Sequence, residues 1–168
     1  MAARRILQLG DPLLRLRSAP ARIEEVGGVL ADLRDTLHEF RRTHGFGRGI
    51  SAVQIGELTR VIYIEMDGAA YSLVNPEIVA LSAKTFELWD DCFSFPDLMV
   101  RVRRSVEVRL RYAGEHGEPH ELTANGALSE LLQHEMDHLD GILAIDRAVD
   151  RNSLCTREEW KRRYAGGL

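Results

Sequence analysis

The sequence predicts an α+β fold: a single domain over residues 1–168, with mostly antiparallel strands around a central metal-binding helix. Three observations support this prediction. The length suits one domain rather than two. Two segments with helical hydrophobic periodicity lie on either side of a strand-rich middle. The second of these segments also carries two histidines four residues apart.

The first helix is predicted over residues 22–44. Apolar residues recur there at steps of four and three, and charged residues fill the intervals, which is the pattern of a helix with one buried face. The apolar positions are Val26, Leu30, Leu33, Leu37 and Phe40. Gly45 and Gly47 follow and end the helix. This segment is therefore a packing element without a predicted role in chemistry.

The middle of the chain predicts a series of strands joined by tight turns. Asp67-Gly68 separates two apolar runs in the manner of a hairpin turn, and Asn75-Pro76 bends the second run. Farther along, apolar and polar residues alternate as in a half-buried strand, and a Gly-rich turn follows. The predicted strands are 61–66, 71–81, Thr85–Trp89, 105–112 and His120–Thr123.

Two more helices are predicted after these strands. Ala127–Leu139 forms the second strong helical segment, with Asn125 as its expected cap. Thr156 and Glu159 have the spacing of a capping box, which predicts a short helix through Trp160 to residue 164.

Composition and charge exclude several classes of protein. The formal net charge is −4, without the basic excess typical of nucleic-acid-binding proteins, and the run Arg101, Arg103 and Arg104 is interpreted as a solvated strand face. Two cysteines are too few for a disulfide framework. The first residues lack the apolar run of a signal peptide, and no stretch approaches the ~20 apolar residues of a membrane span. We therefore expect a cytoplasmic protein with no membrane partner and no sequence-specific nucleic-acid partner.

The clearest functional motif is His134-Glu135-Met136-Asp137-His138 in the second helical segment. Residues four apart share one helix face, so both imidazoles can reach the same metal ion. Glu135 lies beside them and can accept a proton from a bound water. The alternative is a surface helix with unrelated histidines, and the fixed spacing of the motif argues against it.

A catalytic site of this kind needs a third protein ligand. A third histidine farther along is excluded, because the required position holds Ala144. Glu158 lies at a plausible distance, but it belongs to an amphipathic tail rich in Arg and Glu, where a solvated charge is expected. Cys92 lies upstream, and a lone cysteine is most often simply buried. The residues alone leave Glu158 and Cys92 as alternatives.

Three motifs resemble those of the peptide deformylase family. Residues 47–54 (GRGISAVQ) are similar to its first motif and residues 90–94 (DDCFS) to its second. Residues 133–141 (QHEMDHLDG) match its third motif throughout. The motifs follow the family's order, and Asp11-Pro12 near the start resembles the family's opening. The resemblance covers essentially the whole chain.

The resemblance implies a metal-dependent amide hydrolase that removes the N-formyl group from formyl-methionyl N-termini of nascent proteins and releases formate. Its partner is an N-formylated peptide, with transient contact to the ribosome. One divalent metal ion is implied, iron(II) with zinc or nickel as replacements, and its ligands are Cys92, His134 and His138.

The resemblance also implies three catalytic groups. Glu135 takes a proton from water and passes it to the leaving amine. The side-chain amide of Gln54 and the backbone N–H of Phe93 stabilise the oxyanion together with the metal.

The substrate contacts are implied by the same resemblance. Gly47 and Gly49 allow the loop to approach the peptide closely, and Ile50 and Leu88 provide apolar lining. Arg48 stands at a usually aliphatic position beside the pocket for the methionine side chain. An inward guanidinium would favour an acidic or polar side chain. A guanidinium in solvent, with its stem lining the pocket, would preserve the preference for methionine, and this second orientation is expected.

Other departures from the family pattern lie close to the motifs. Asp90 and Asp91 replace Glu and Gly and place an extra carboxylate beside the thiolate ligand, which predicts raised local pKa values. Met99 stands where many relatives have an arginine. Asp137 is expected to pair with Arg104 and to hold the ligand helix against the cysteine strand.

The sequence is compatible with two other functions. A metalloamidase on the same scaffold could act on a different N-formylated or N-acylated substrate. A binding protein without turnover is the other alternative, and Glu135 argues against it, because binding alone has no need of a proton acceptor.

Overall fold

The computed structural model describes residues 2–165, in which two antiparallel sheets meet at one buried helix. The helices are α1 (Val26–His44), α2 (Gly126–Leu139) and α3 (Arg157–Arg163). The strands are β1 (Gly49–Ser51), β2 (Val61–Met66), β3 (Ala69–Leu81), β4 (Thr85–Asp90), β5 (Leu98–Ser105), β6 (Glu107–Ala113), β7 (Pro119–Asn125) and β8 (Leu154–Thr156). The larger sheet has the order β1-β2-β3-β6-β7 and the smaller one β4-β5-β8.

The larger sheet is covered by a helix on each face, which explains why β2 is apolar at successive positions. Val61 and Tyr63 pack with the buried face of α1. Ile62 and Ile64 point the other way and pack with apolar residues of α2. Because side chains alternate along the strand, β2 contributes residues to two separate cores, one on each face of the sheet. No helix among residues 2–165 is long and apolar enough to cross a membrane.

Helix α2 is buried from Ser129 to Leu139, polar residues included. Its apolar side chains pack on the larger sheet. His134 and His138 lie towards the smaller sheet, where His134 contacts Asp90 at the end of β4. A third core, which includes Cys92, fills the region behind the smaller sheet. The central metal-binding helix that the sequence predicts therefore occupies the junction of the two sheets.

Most predicted elements are present with small changes in their bounds. A 3-10 turn over Ile23–Glu25 precedes α1, so the helix proper begins at Val26 rather than at residue 22. Asn75 has a positive φ of 51° at an irregularity in β3, where the sequence predicts a bend. The hydroxyl of Thr156 accepts a hydrogen bond from the Glu159 N–H, as the capping pattern predicts. The short strands β1 and β8 and most of β5 are additions that the hydrophobic pattern did not predict.

Two predictions about individual residues are wrong. Asn125 directly precedes α2, but its side chain makes no capping hydrogen bond. Arg104 does not belong to a solvated strand face. Successive side chains of β5 point to opposite sides of its sheet, so Arg101 and Arg103 reach solvent while Arg104 is only 4% exposed.

Gly141, two residues after α2, provides a test of how tightly the N-terminal segment packs on the ligand helix. It has a φ of +74°, and an added Cβ would lie 2.4 Å from the Arg15 carbonyl oxygen. Gly141→Ala is therefore expected to cost about 1 kcal/mol for the backbone conformation and a further ~1–3 kcal/mol for the overlap. Thermal or urea unfolding measures the loss.

Gly68→Ala is the matched control. Gly68 has a similar φ of +79°, but no atom lies within 4 Å of its added Cβ. Equal destabilisation by the two substitutions would show that the contact with Arg15 is not tight.

Candidate metal centre

Three side chains converge at the junction of the two sheets. Cys92 follows β4, and His134 and His138 come from α2. The Cys92 Sγ lies 3.3 Å from the His138 Nε2, which lies 3.2 Å from the His134 Nε2. All three ligand atoms fall within 4.8 Å of one another, and all three residues are buried. Two imidazoles and one thiolate at this spacing fit one divalent ion with a position left open for water.

The orientation of His134 is fixed by Asp90. The His134 Nδ1 lies 2.8 Å from the Asp90 Oδ2, so the opposite ring nitrogen faces the two other ligands. Arg104 donates to the same carboxylate oxygen at 3.4 Å. Burial alone would raise the pKa of Asp90, but His134 and Arg104 outweigh burial and keep this pKa below its ordinary value. The pKa values of Glu130 and Glu135 are raised, mainly by burial and also by the Asp90 carboxylate, as predicted for the surroundings of the two aspartates.

Arg104 also binds a residue of the ligand helix α2, as the sequence predicts. It donates to the Asp137 Oδ2 at 2.6 Å, and both side chains are largely buried. Arg147 binds the other oxygen of Asp137 at 2.9 Å. The Asp137–Arg104 pair is confirmed, and one guanidinium therefore connects Asp90 with Asp137.

Glu135 lies beside the ligands in a fixed orientation. The Ser51 hydroxyl donates to its Oε2 at 2.6 Å, which leaves Oε1 available as a proton acceptor. Oε1 lies close to Gly49, where an added Cβ would be 3.0 Å from it. Burial raises the pKa of the Glu135 carboxyl, although His134 and the Ser51 hydrogen bond act in the opposite direction. A raised pKa suits a group that accepts and returns a proton near neutral pH.

Gln54 and Phe93 lie close to the Cys92 ligand. The Gln54 Oε1 accepts from the Ser51 N–H at 3.0 Å, and its Nε2 is directed to the Cys92 Sγ at 3.5 Å and to the Ser94 Oγ at 3.2 Å. The Phe93 ring stacks on Phe40 with centroids 3.8 Å apart. The backbone of Phe93 is thereby held beside the ligands, while its ring belongs to the core.

Gly47 is required by this packing as well as by any substrate. An added Cβ at Gly47 would lie 2.5 Å from the Phe93 ring. The glycines of the first motif therefore make room for Phe93 and for Glu135, a reason that the sequence pattern alone did not reveal.

A pocket of about 400 Å³ opens above the ligands. Of the substrate contacts that the sequence predicts, Gly47, Arg48 and Gly49 line it, and the predicted catalytic residues Gln54, Phe93 and Glu135 line it as well. Two predicted lining residues do not line it. The Ile50 side chain is buried in the core beneath α1, and Leu88 packs in the core behind the smaller sheet. The apolar lining comes instead from Phe46, Trp89, Leu131, Met99 and Trp160.

The expected orientation of Arg48, with its guanidinium in solvent, is wrong, because the guanidinium is paired with a buried carboxylate of α2. The Arg48 Nη2 donates to the Oε1 of Glu130 at 2.6 Å, and the Glu130 side chain is only 5% exposed. One feature of the sequence places Glu130 near the site and so within reach of Arg48. Glu130 lies four residues before His134, so the two share a helix face.

Arg157 and Trp160 of α3 form a wall of the pocket that sequence reasoning missed. Arg157 donates to Asp91 at 2.8 Å and to the Pro96 carbonyl at 2.7 Å, and it lies 3.8 Å above the Phe46 ring. Asp91 is thus neutralised rather than left as an extra charge beside the thiolate. Glu158 follows Arg157 in α3. It is exposed and is not part of the ligand group, so the alternative ligand is eliminated.

Comparison with known proteins agrees with this geometry. The family model described as polypeptide deformylase matches residues 3–153. A peptide deformylase from Thermomicrobium roseum is 38% identical over 165 residues, which cover 92% of this chain and 90% of the relative. The chain belongs to the polypeptide deformylase family. Arg157 and Trp160 lie beyond the matched residues of this deformylase, yet they line its pocket.

Solved deformylase structures share the fold. The structure from Thermotoga maritima matches with a TM-score of 0.83 and 30% identity, and covers 89% of this chain and 100% of its own. A deformylase from Acinetobacter baumannii, solved with Met-Ala-Ser bound, matches with a TM-score of 0.77 and 31% identity over 87% of this chain and 98% of its own. The predicted α+β fold is confirmed. This deformylase is a metal-dependent amide hydrolase that removes N-formyl groups from nascent peptides, and the alternative amidase is not favoured.

Arg104→Leu is expected to be strongly destabilising, because Asp90 and Asp137 lose the buried guanidinium that they share and keep only His134 and Arg147 as partners. The loss is about 3–5 kcal/mol, the typical cost of breaking a buried ion pair. Metal affinity should fall ~10–100-fold as the orientation of His134 relaxes. Urea unfolding and titration with a metal chelator measure the two effects.

Arg103→Leu provides the control on the same strand. Arg103 is 59% exposed and pairs only with Glu87 in the described structure, so little change is expected in either measurement. Similar losses in the two variants would rule out the buried network as the cause.

Proposed function

We propose that this deformylase hydrolyses the formyl amide at a single metal centre held by Cys92, His134 and His138, with Glu135 as the general base. The observation that carries the proposal is the convergence of three buried ligand atoms beside one pocket, which is lined by Cys92, His134 and the carboxylate of Glu135. Release of formate from formyl-Met-Ala peptides, measured with the metal content of the protein, tests the proposal.

The proposed metal is iron(II), with zinc or nickel as functional replacements. A thiolate with two imidazoles is a ligand set that accepts each of these ions. When bound, the ion supplies Lewis acidity that polarises the formyl carbonyl and lowers the pKa of a water.

Glu135 handles the proton in this proposal. Because Ser51 holds its Oε2, the free Oε1 accepts the proton of the attacking water and later returns it to the amine of the departing peptide. Burial raises the pKa of the Glu135 carboxyl, which makes the return of the proton easier than from an ordinary carboxyl group.

Gln54 and Phe93 stabilise the negative charge that develops on the formyl oxygen. The Gln54 amide cannot rotate freely, because its oxygen is bound to the Ser51 N–H, so its Nε2 remains directed towards the ligands. The Phe93 backbone is held through its ring on Phe40. Donors that are fixed before the reaction stabilise a developing charge at little cost of reorganisation.

The peptide is proposed to bind along β1. This strand lies at the edge of the larger sheet, with β2 on one side. Gly47 and Gly49, at its start, line the pocket. An extended N-terminal segment can add to such an edge through backbone hydrogen bonds. The relative from Acinetobacter baumannii was solved with a tripeptide bound, which is consistent with a peptide substrate here.

The cellular setting follows from the substrate. Formyl groups are carried by newly made chains, so we propose that the enzyme works in the cytoplasm and contacts the ribosome only transiently.

The identity of the third ligand is tested by replacing the two cysteines in turn. Cys92→Ser is expected to lose metal or activity, because the thiolate is replaced by a poorer ligand. Cys155→Ser should change neither, since Cys155 lies outside the ligand group. Glu158→Gln should also leave both unchanged. Metal bound by Cys92→Ser and lost by Glu158→Gln would contradict the ligand assignment.

Glu135→Gln separates catalysis from metal binding. The amide keeps the size of the side chain but cannot accept a proton, so metal content is expected to stay normal while turnover falls at least ~100-fold. Formate release and metal analysis on the same preparation measure the two quantities. A near-normal rate would remove Glu135 from the mechanism.

A further inference from the structure

We propose that the Arg48–Glu130 pair makes this pocket accept N-formylated peptides whose first side chain ends in a neutral oxygen acceptor, such as the carboxamide of glutamine. The inference rests on the proposed function and names a substrate class for the same site.

The position of Arg48 places a guanidinium in the substrate pocket. Arg48 lies between Gly47 and Gly49, whose neighbours are the Phe93 ring and the Glu135 carboxylate. Its side chain is 36% exposed and lines the same cavity as His134 and Glu135. We therefore expect the side chain of the first residue of a bound peptide, next to the formyl amide, to contact Arg48 in this cavity.

Glu130 keeps the Arg48 guanidinium from turning out of the pocket into solvent. Its carboxylate is buried, with Oε1 bound to Arg48 and Oε2 lacking a hydrogen-bond partner among residues 2–165. Arg48 is thus the counter-charge of a buried carboxylate, and moving it into solvent would leave that charge uncompensated, which is costly. The pair holds the guanidinium at the pocket.

The pair leaves hydrogen-bond donors for a substrate. A guanidinium has five N–H donors, and within the described residues the single side-chain hydrogen bond of Arg48 uses Nη2. Its Nε and Nη1 remain available. A thioether accepts hydrogen bonds weakly, whereas a carboxamide oxygen accepts them well.

The charge around Arg48 distinguishes a neutral acceptor from an anionic one. Glu130 already neutralises the guanidinium. A carboxylate side chain would therefore gain little attraction from Arg48 and would meet repulsion from the Glu130 carboxylate. A carboxamide of the same shape gains the hydrogen bond without that repulsion. The remaining wall, including Trp89 and Leu131, suits the methylene groups of the side chain.

The test compares three peptides, formyl-Gln-Ala-Ser, formyl-Glu-Ala-Ser and formyl-Met-Ala-Ser, through kcat/KM for formate release by the metal-loaded enzyme. Replacing both partners in Arg48→Leu/Glu130→Leu avoids an unpaired buried carboxylate. This variant is expected to lower the Gln/Met ratio of kcat/KM by roughly tenfold, the scale of one hydrogen bond.

A second variant tests the charge argument alone. Glu130→Gln keeps the shape of the side chain but frees the charge of Arg48, so the Gln/Glu ratio is expected to fall severalfold in favour of the acidic peptide. Unchanged Gln/Met and Gln/Glu ratios in the two variants would overturn the proposal.

Binding of the deformylated products separates this inference from the proposed function. Calorimetry with Gln-Ala-Ser, Glu-Ala-Ser and Met-Ala-Ser should show the same shifts in relative affinity. If no peptide is deformylated but these shifts occur, the proposed function fails and the pocket assignment stands. If all peptides are deformylated without any shift, the pocket assignment fails and the proposed function stands.

Discussion

The geometry of the metal centre depends on the Arg104 guanidinium, because it binds two carboxylates from separate parts of the fold. Asp90 ends a strand of the smaller sheet and orients the His134 ring, while Asp137 belongs to the ligand helix. Burying three charges is costly unless each has a partner. The arrangement therefore tolerates little movement, and the spacing of the ligands depends on it. Cys92 lies two residues after Asp90, so the same guanidinium also fixes the third ligand relative to the helix.

Two charged residues of the pocket, Asp91 and Arg48, are each compensated by a partner of opposite charge. Asp91, beside the thiolate ligand, is neutralised by Arg157 of the last helix. Arg48, at the start of the edge strand, is neutralised by Glu130 of the ligand helix. Each pair joins elements that are distant in sequence and leaves the three metal ligands untouched. The unusual charges on the substrate side of the site are thus compensated by partners from other elements, and the three metal ligands at its base take no part in these pairs.

The sequence predicted the metal centre more fully than the pocket, for a physical reason. Ligands four apart on one helix share a face whatever surrounds them, so the motif around Glu135 determines local geometry by itself. The pocket walls depend instead on which face of a strand is covered. Leu88 and Trp89 are neighbours in β4, and a shift of one residue decides which of them meets the substrate. Glu130 looks like an ordinary polar helix residue until Arg48, 82 positions away, is placed against it.

The anchoring of α3 has a consequence for how the enzyme is made. Arg157 and Trp160 line the pocket, and α3 follows every other element of the site along the chain. Synthesis proceeds from the N-terminal end, and segments become available to fold in that order. The metal ligands and the general base can therefore assemble before the wall of the pocket exists. An enzyme that trims emerging chains thus gains its own complete binding surface only after α3 has been synthesised.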